Sequence, residues 1–204
     1  CRKKGSLDAP EQVMLGVNEV CAGDKFCSVS GTNVSPDGNL LGYGIDTVGR
    51  RFYTLRFKDL GTGRHLPDQI ADVTGNFAWA TDGKTLFYTR QDPETLRADR
   101  VFRHVLGTDP QKDELVFEEK DETFSSYVFL TKSKRYVMIA SDQTLSSEVR
   151  FVEADRPADP FRVFLRRERD HEYSVEHYGG DFYVRTNRGA KNFRLMKTPV
   201  TDTD

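Results

Sequence analysis

Short apolar runs separated by polar turns recur along the whole chain. The runs are rich in Phe, Tyr, Val and Leu, and Gly, Asp, Asn, Ser and Thr bound them. No window carries a long apolar stripe at helical spacing. The first complete group of runs predicts strands near 28–34, 40–46, 51–60 and 66–72. The sequence therefore predicts an all-β protein.

Two markers repeat in step along the chain, 44 to 50 residues apart. The first is an apolar residue followed by a tight polar turn and a strand, and it begins at Val34, Trp79, Phe129 and Val175. The second is an apolar residue followed by arginine, and it places Arg56, Arg103, Arg150 and Arg194 at equivalent points. A period of about 40 to 50 residues that holds about four strands is typical of β-propeller blades.

The repeat predicts a β-propeller fragment of about four blades of four-stranded antiparallel sheets. The blades fall near 27–74, 76–119, 124–167 and 172–200 of a partial propeller spanning 1–204. Residues 11–18 are predicted to be the outer strand of a preceding blade, and the last group stops after its third strand near Met196. Ring closure takes about 4 to 8 blades, so we expect a piece of a longer chain. Bare apolar faces at both ends of such an arc would favour a homodimer.

Composition and charge exclude several classes of protein. Lys and Arg number 30 against 32 Asp and Glu, a net charge of −2, so the chain lacks the global basic field of a nucleic-acid-binding protein. No apolar run approaches the ~18 residues of a membrane span. Three cysteines are an odd number, and the six-residue spacing of Cys21 and Cys27 fits no Cys-x-x-Cys site. We therefore predict reduced thiols and a cytoplasmic location.

The sequence provides no catalytic or metal-binding constellation. The Gly-x-Ser-x-Gly turn of a serine nucleophile does not occur. His171 and Glu172 could begin a zinc motif, but Val175 stands where the second histidine is required. All four histidines are predicted to have structural or surface roles. No catalytic residue, metal or cofactor is assigned.

Three groups of charged residues have simple structural interpretations. The acidic run 118–122 is predicted to be a solvated loop between blades, and the basic residues of 162–169 are predicted to be a screened surface. The four repeated arginines are expected to pack laterally and to pair with carboxylates of the next blade.

Five strings of the sequence carry a specific resemblance. They are Asp46–Leu60, Val101–Thr108, Leu115–Phe124, Asp170–Tyr178 and Ala190–Leu195. In these strings the chain resembles oligopeptidase B, or protease II, of the prolyl oligopeptidase family. The resemblance implies a seven-bladed propeller over an α/β-hydrolase catalytic domain, in a serine peptidase that cuts short peptides after Lys or Arg.

The resemblance covers the propeller only, and no position matches the family's catalytic motifs. It implies that this region covers the active site as a lid and admits only small or unfolded peptides. The expected partners are the parent protein's own catalytic domain and, for the whole enzyme, short basic peptides. Arg50 and Arg51, at a turn between two strands, are predicted to contact the catalytic domain, because exposed arginines often form bidentate pairs between domains.

Two other functions of propeller proteins fit this sequence less well than a peptidase propeller does. A free-standing interaction scaffold of the WD-repeat kind would carry Trp-Asp dipeptides, whereas Trp79 precedes Ala80. A propeller glycosidase or lectin would carry repeated Ser-x-Asp-x-Gly-x-x-Trp boxes, and the string that begins at Ser35 departs from that pattern.

Overall fold

The computed structural model describes residues 1–203 and consists almost entirely of antiparallel strands. The predicted range 1–204 ends on Asp204, which lies outside the described residues. In chain order the elements are β1 (Arg2–Lys3), β2 (Glu11–Gln12), α1 (Val17–Val20), β3 (Ser28–Val34), β4 (Leu40–Asp46), β5 (Tyr53–Asp59), β6 (His65–Val73), β7 (Phe77–Trp79), β8 (Thr85–Gln91), β9 (Ala98–Val105), β10 (Glu114–Glu118), β11 (Ser125–Leu130), β12 (Tyr136–Gln143), β13 (Ser146–Glu153), β14 (Arg162–Leu165), β15 (Tyr173–Tyr178), β16 (Asp181–Thr186) and β17 (Arg194–Pro199). A single 3-10 turn, Pro110–Lys112, precedes β10.

The main strands form four separate antiparallel sheets, each a simple meander. Sheets one to three have the strand orders β3-β4-β5-β6, β7-β8-β9-β10 and β11-β12-β13-β14, and sheet four has β15-β16-β17. The predicted all-β class is confirmed, and the last sheet has three strands, as the repeat indicates. Each sheet lies within the range predicted for one blade.

In sheets one and two, the Asp-Gly pairs at Asp37 and Asp82 form the tight turns between strands one and two. Asp82 accepts hydrogen bonds from the backbone N–H groups of Lys84 at 2.9 Å and Thr85 at 2.8 Å. Gly83, at the tip, has a φ of +67°, which glycine adopts without the strain of a side chain. An Asp-Gly pair between apolar residues therefore specifies the hairpin locally.

Three apolar clusters fill the three spaces between neighbouring sheets. Between sheets one and two lie Leu55, Phe57, Ile70, Val73, Phe77, Trp79, Leu86 and Tyr88. Between sheets two and three lie Ala78, Phe87, Val101, Val128, Val137, Ile139, Val152 and Ala154. Between sheets three and four lie Tyr136, Met138, Ala140, Val149, Phe151, Phe164, Tyr173, Val175 and Phe182. Sheet-to-sheet packing thus provides the core of the protein.

Strand β8 shows how one strand serves two of these clusters. Leu86 and Tyr88 point toward sheet one, and Phe87, between them in sequence, points toward sheet three. All three side chains are fully buried. Burying one such side chain contributes about 1.5 to 3 kcal/mol. A strand covered on both faces therefore reads as a continuous apolar run, where a half-exposed strand would alternate.

Asparagine side chains join the inner strands of neighbouring sheets. The Asn76 side chain accepts from Val128 N at 2.7 Å and donates to Val128 O at 3.0 Å, which links sheets two and three. Asn33 donates to Phe77 O at 3.4 Å, and Trp79 Nε1 donates to Asn33 O at 3.2 Å. These bonds satisfy backbone groups at strand edges that the sheets leave unpaired.

The prediction of an outer strand over 11–18 is wrong. Only Glu11–Gln12 is a strand, and it pairs with Arg2–Lys3 and not with a blade. Val17–Val20 is helical, and the amides of Glu19 and Val20 both donate to the carbonyl of Gly16. The backbone N–H and C=O groups of this segment form hydrogen bonds within the β1–β2 hairpin and helix α1, so they are not available for pairing with a blade.

The prediction of reduced thiols is also wrong for two of the three cysteines. Cys21 and Cys27 form a disulfide, with their Cα atoms 5.6 Å apart, whereas Cys1 is free and exposed. A turn that includes Gly23 at a φ of +93° follows helix α1 and returns the chain toward Cys21. A spacing of six residues brings two cysteines together only through such a turn.

Residues 1–27 cover one end of the stack of sheets. Tyr43, on the face of sheet one that points away from sheet two, is fully buried. Gly16 and Val20 lie across from Tyr43, and Lys58 Nζ donates to Met14 O at 3.0 Å. The expectation of two bare end faces is therefore wrong at this end. At the other end, sheet four exposes Tyr178 and Leu195.

No helix within residues 1–203 is long and apolar enough to cross a membrane.

Candidate functional site

The loops between strands fall at two opposite ends of the sheets. In an antiparallel meander, the connection between strands two and three lies at the same end as the linker to the next sheet. We call this end the linker rim. It consists of 47–52, 92–97, 144–145, 187–193 and the sheet linkers 74–76, 119–124 and 166–172. Arg50 and Arg51 lie on this rim, in the loop between β4 and β5.

A buried carboxylate holds the loop that carries Arg50 and Arg51. Asp46 Oδ1 accepts from Val48 N at 2.8 Å and Gly49 N at 2.9 Å, and Asp46 Oδ2 accepts from Arg51 N at 2.8 Å. Burial alone would raise the pKa of Asp46, but these backbone donors outweigh burial and lower its pKa below the usual range. The loop backbone is thus fixed around an ionised side chain.

The same loop is tied to the second sheet. Gln91 Nε2, at the end of β8, donates to the carbonyl of Arg51 at 3.0 Å. The side chains of Arg50 and Arg51 are exposed, and neither forms an ion pair within residues 1–203. The rim therefore presents two free guanidinium groups on a fixed backbone.

An ion-pair network joins the acidic run and the basic run of the sequence, which were predicted to be separate solvated surfaces. Arg167 Nη2 lies 2.6 Å from Glu119 Oε2 and 3.2 Å from Glu148 Oε1. Arg167 N also donates to Glu148 Oε2 at 3.0 Å. The side chains of Glu119 and Glu148 are only 4% and 7% exposed, so the prediction of a solvated acidic loop is wrong at Glu119.

Burial and charge act in opposite directions on Glu148. Burial would raise the pKa of this carboxyl, whereas the backbone N–H and guanidinium of Arg167 and the charge of Arg150 lower it. The net effect is a pKa below the usual range, so Glu148 is ionised at neutral pH. Its charge then counts toward the neutralisation of the arginines beside it.

One aromatic ring and a second arginine also contact this part of the rim. The guanidinium carbon of Arg167 lies 3.9 Å from the centre of the Phe124 ring. Arg97 Nη1 donates to the carbonyls of Glu119, Asp121 and Phe124 at 3.0 to 3.3 Å. The linker 119–124 between sheets two and three is therefore fixed by cations from both sides.

Two of the four repeated arginines, Arg103 and Arg150, pack between sheets as predicted, but their carboxylate partners differ from the prediction. The prediction is wrong for the other two: Arg56 lines the face of sheet one that points away from sheet two, and Arg194 is exposed. The guanidinium of Arg150 lies 4.3 Å from the centre of the Phe117 ring on sheet two, and it pairs with Glu148 on its own strand at 2.6 Å. Arg103 donates at 2.8 Å to the carbonyl of Pro157, which lies in the loop between β13 and β14, and it pairs with Glu114 of its own sheet. Carboxylates of the next blade are not used by either arginine, because nearer ones within the same sheet are available.

The histidines have the structural roles predicted for them. His171 Nε2 and His177 Nδ1 lie 2.8 Å from the hydroxyls of Thr186 and Ser133, respectively. His104 Nδ1 lies 2.8 Å from Asp113, but His104 is fully buried, so no substrate can reach it. Within residues 1–203, no three His, Cys, Asp or Glu side chains are placed to hold a metal ion.

Replacing Arg167 tests the ion-pair network. We expect Arg167→Ala to lower the free energy of unfolding by about 3 kcal/mol, because the buried Glu119 loses its ion-pair partner and the buried Glu148 keeps only Arg150. Arg169→Ala is the matched control, since Arg169 is 91% exposed and its pair with Asp170 measures 3.8 Å. This control should change the unfolding free energy by less than about 0.5 kcal/mol. Urea unfolding measures the free energy of unfolding of each variant. Equal losses in Arg167→Ala and Arg169→Ala would show that the ion-pair network does not stabilise the protein.

The sequence is similar to peptidases along almost its whole length. Dipeptidyl aminopeptidase BI of Pseudoxanthomonas mexicana is 44% identical over 196 residues, which are 96% of this chain and 27% of that protein. Protease 2 of Moraxella lacunata is 36% identical over 197 residues, which are 96% of this chain and 28% of that protein. The chain thus spans little more than a quarter of the length of these relatives.

The fold is similar to that of a solved peptidase. The structure of oligopeptidase B from Leishmania major matches with a TM-score of 0.86 at 28% identity, over 97% of this chain and 28% of that one. The family model described as "Prolyl oligopeptidase, N-terminal beta-propeller domain" matches residues 1–204. The predicted β-propeller is therefore confirmed. The chain belongs to the prolyl oligopeptidase family, as its N-terminal β-propeller region.

Proposed function

We propose that this chain is the propeller portion of a serine peptidase similar to oligopeptidase B, and that the whole enzyme cleaves short peptides after Lys or Arg. The match of all 204 residues to the family's propeller domain carries this proposal. Within residues 1–203, the histidine–carboxylate pair of His104 and Asp113 is buried in the core, and the proposal accordingly assigns the reacting groups to a separate catalytic domain.

The role proposed for the propeller is that of a lid and size filter. Each space between sheets is packed with buried apolar side chains, and the inner strands are bonded to one another through Asn33 and Asn76. Such packing resists the separation of blades, so a folded protein could not pass between them. A short or unfolded peptide, which has a smaller cross-section, would still reach a catalytic domain beneath the propeller.

The contacts proposed between this chain and the catalytic domain are made by Arg50 and Arg51. Their loop is fixed by Asp46 and Gln91, so little backbone entropy would be lost on docking. Arginine suits this role because its planar guanidinium binds a carboxylate through two parallel hydrogen bonds.

A second candidate activity is the release of dipeptides from a free amino terminus. It is favoured by the 44% identity to a protein whose name is dipeptidyl aminopeptidase. The two activities differ in whether blocking the substrate's amino group abolishes cleavage. A free-standing scaffold is the third candidate, and it requires that no catalytic domain accompany the propeller.

The predictions of a homodimer and of a cytoplasmic location remain predictions. The cytoplasmic location rests on reduced thiols, whereas Cys21 and Cys27 are paired, and disulfides persist mainly in oxidising compartments. The homodimer rests on two bare end faces, and residues 1–27 cover one of them.

Activity assays on the 204-residue chain and on the longer protein that contains it test the proposed function. We expect the 204-residue chain neither to hydrolyse Arg or Lys peptide substrates nor to react with a fluorophosphonate. Within residues 1–203 the exposed Ser133 is hydrogen-bonded to His177, but His177 Nε2 has no hydrogen-bond partner, so no third group orients this histidine as a general base. The longer protein should cleave the same substrates, and it should cleave amino-blocked ones equally well.

Three outcomes would contradict the proposal. Labelling and turnover by the 204-residue chain would place catalysis in the propeller. Cleavage by the longer protein only when the amino terminus is free would favour dipeptide release. No cleavage by the longer protein, with either kind of substrate, would favour a scaffold.

Substitution of both rim arginines tests the proposed domain contacts. In the longer protein, we expect Arg50→Gln/Arg51→Gln to weaken the docking of the propeller on the catalytic domain. The ratio of molecules with separated domains to molecules with docked domains should rise about tenfold, because losing one charge-assisted hydrogen bond costs about 1.5 kcal/mol. Small-angle scattering would then show a larger radius of gyration. Arg64→Gln is the control, since Arg64 is exposed on the opposite rim, in the loop 60–64. Equal scattering from both variants would contradict the contacts.

A further inference from the structure

A cavity of about 430 Å³ lies between the N-terminal segment and the first sheet. Strands β4, β5 and β6 form its floor, on the face of the sheet that points away from sheet two. Gly16 and helix α1 form the opposite wall, and the Cys21–Cys27 disulfide follows directly after that helix. The cavity is therefore a half-open pocket between two segments of the chain that are distant in sequence.

Two cationic side chains from β5 line this cavity without a carboxylate partner. Arg56 Nε is buried and has no hydrogen-bond partner within residues 1–203. Lys58 Nζ donates to Met14 O at 3.0 Å, which leaves two of its three donor hydrogens free. Neither cation lies within 4.0 Å of a carboxylate oxygen in the described part of the chain. Two buried or half-buried positive charges are thus left without a counterion.

The one carboxylate in the cavity wall, that of Glu19, does not pair with the two cations. Glu19 folds back over Gly16, so that its Oε2 lies 2.8 Å from the position a Cβ would take on that glycine. It forms no ion pair with Arg56 or Lys58. The remaining polar groups of the lining, the Tyr43 hydroxyl and the Gln69 amide, are neutral hydrogen-bonding groups. The lining therefore has a net positive charge and several donors.

The positive charges of Arg56 and Lys58 also act on His65, at the edge of the cavity. His65 Nε2 lies 2.9 Å from the Tyr43 hydroxyl. Burial lowers the pKa of His65, and the charges of Lys58 and Arg56 lower it further. A field that opposes a third positive charge at this point favours a negative one.

We propose that this cavity binds a small oxyanion, held by the guanidinium of Arg56 and the ammonium of Lys58 with neutral donors from Tyr43 and Gln69. Guanidinium and ammonium groups are the side chains that bind carboxylate and phosphate most strongly. The volume exceeds that of one ion, so ordered water would share the cavity, at about 30 Å³ for each molecule. This site is independent of the proposed peptidase activity.

Titration of the 204-residue chain with sodium sulfate tests the site. Amide NMR spectra should show saturable shifts at β5 and β6 that sodium chloride at equal ionic strength does not reproduce. Arg56→Gln should weaken binding at least tenfold, as expected for the loss of about 1.5 kcal/mol from a charged hydrogen bond. Lys58→Gln provides a second variant, and Arg64→Gln, outside the cavity, should bind as the unaltered chain does.

The His65 ring provides a readout that needs no substitution. Its surroundings are Arg56 and Lys58 from β5, Tyr43 from β4 and Glu19 from α1. Bound sulfate should raise the pKa of His65, measured from its ring C–H signals, because the anion offsets the two cations. Chloride at equal ionic strength should produce a smaller rise.

Phosphate and acetate identify the class of anion. Binding of phosphate and sulfate with weak acetate binding would indicate a tetrahedral ligand, and equal binding of acetate would indicate a carboxylate. Identical responses to sulfate and chloride would show ionic screening only and would overturn the proposal. Undiminished sulfate affinity in both Arg56→Gln and Lys58→Gln would overturn it as well.

Discussion

Burial of both faces of each inner sheet is the constraint on which the rest of this structure depends. Strand β8 carries apolar side chains toward sheet one and toward sheet three, so sheet two cannot be stable without a neighbour on each side. The same holds for sheet three, whose residues enter two of the three clusters. Blades that need their neighbours in this way form a continuous stack, and the loops between their strands lie at the two rims.

The same constraint acts on the polar groups near the buried spaces, because a polar group without a hydrogen-bond partner costs free energy once water is excluded. Glu119 and Glu148 are nearly buried and share Arg167, and Asp46 is buried and collects the amides of a whole loop. The loops of the linker rim are therefore fixed by the ion pairs of Arg167 and by the hydrogen bonds from backbone amides to Asp46. On this rim, Arg50 and Arg51 remain exposed and without ion-pair partners within residues 1–203.

The sheets could be predicted from the sequence because their signals are local. Alternating or continuous apolar runs and Asp-Gly turns, such as the one at Asp82, lie within a few residues of the strands that they specify. The pair of Glu119 and Arg167 could not be predicted in this way, since 48 residues separate them and only the packing of sheets two and three brings them together. The disulfide was missed because its geometry depends on helix α1 and the turn after it. Arg50 and Arg51 were placed correctly on an exposed turn, whereas their contacts with another domain cannot be read from this chain alone.

The lid role proposed for the propeller means that it controls which substrates reach a separate catalytic domain. The most direct test compares two substrates of the longer protein that contain one identical Arg-containing sequence, first as a short flexible peptide and then as a loop of a small, disulfide-linked protein. A propeller that acts as a size filter should allow efficient cleavage of the peptide, whereas the folded protein should be cleaved no faster than background until reduction unfolds it. Equal values of kcat/KM for the peptide and the folded protein would show that the propeller does not select substrates by size.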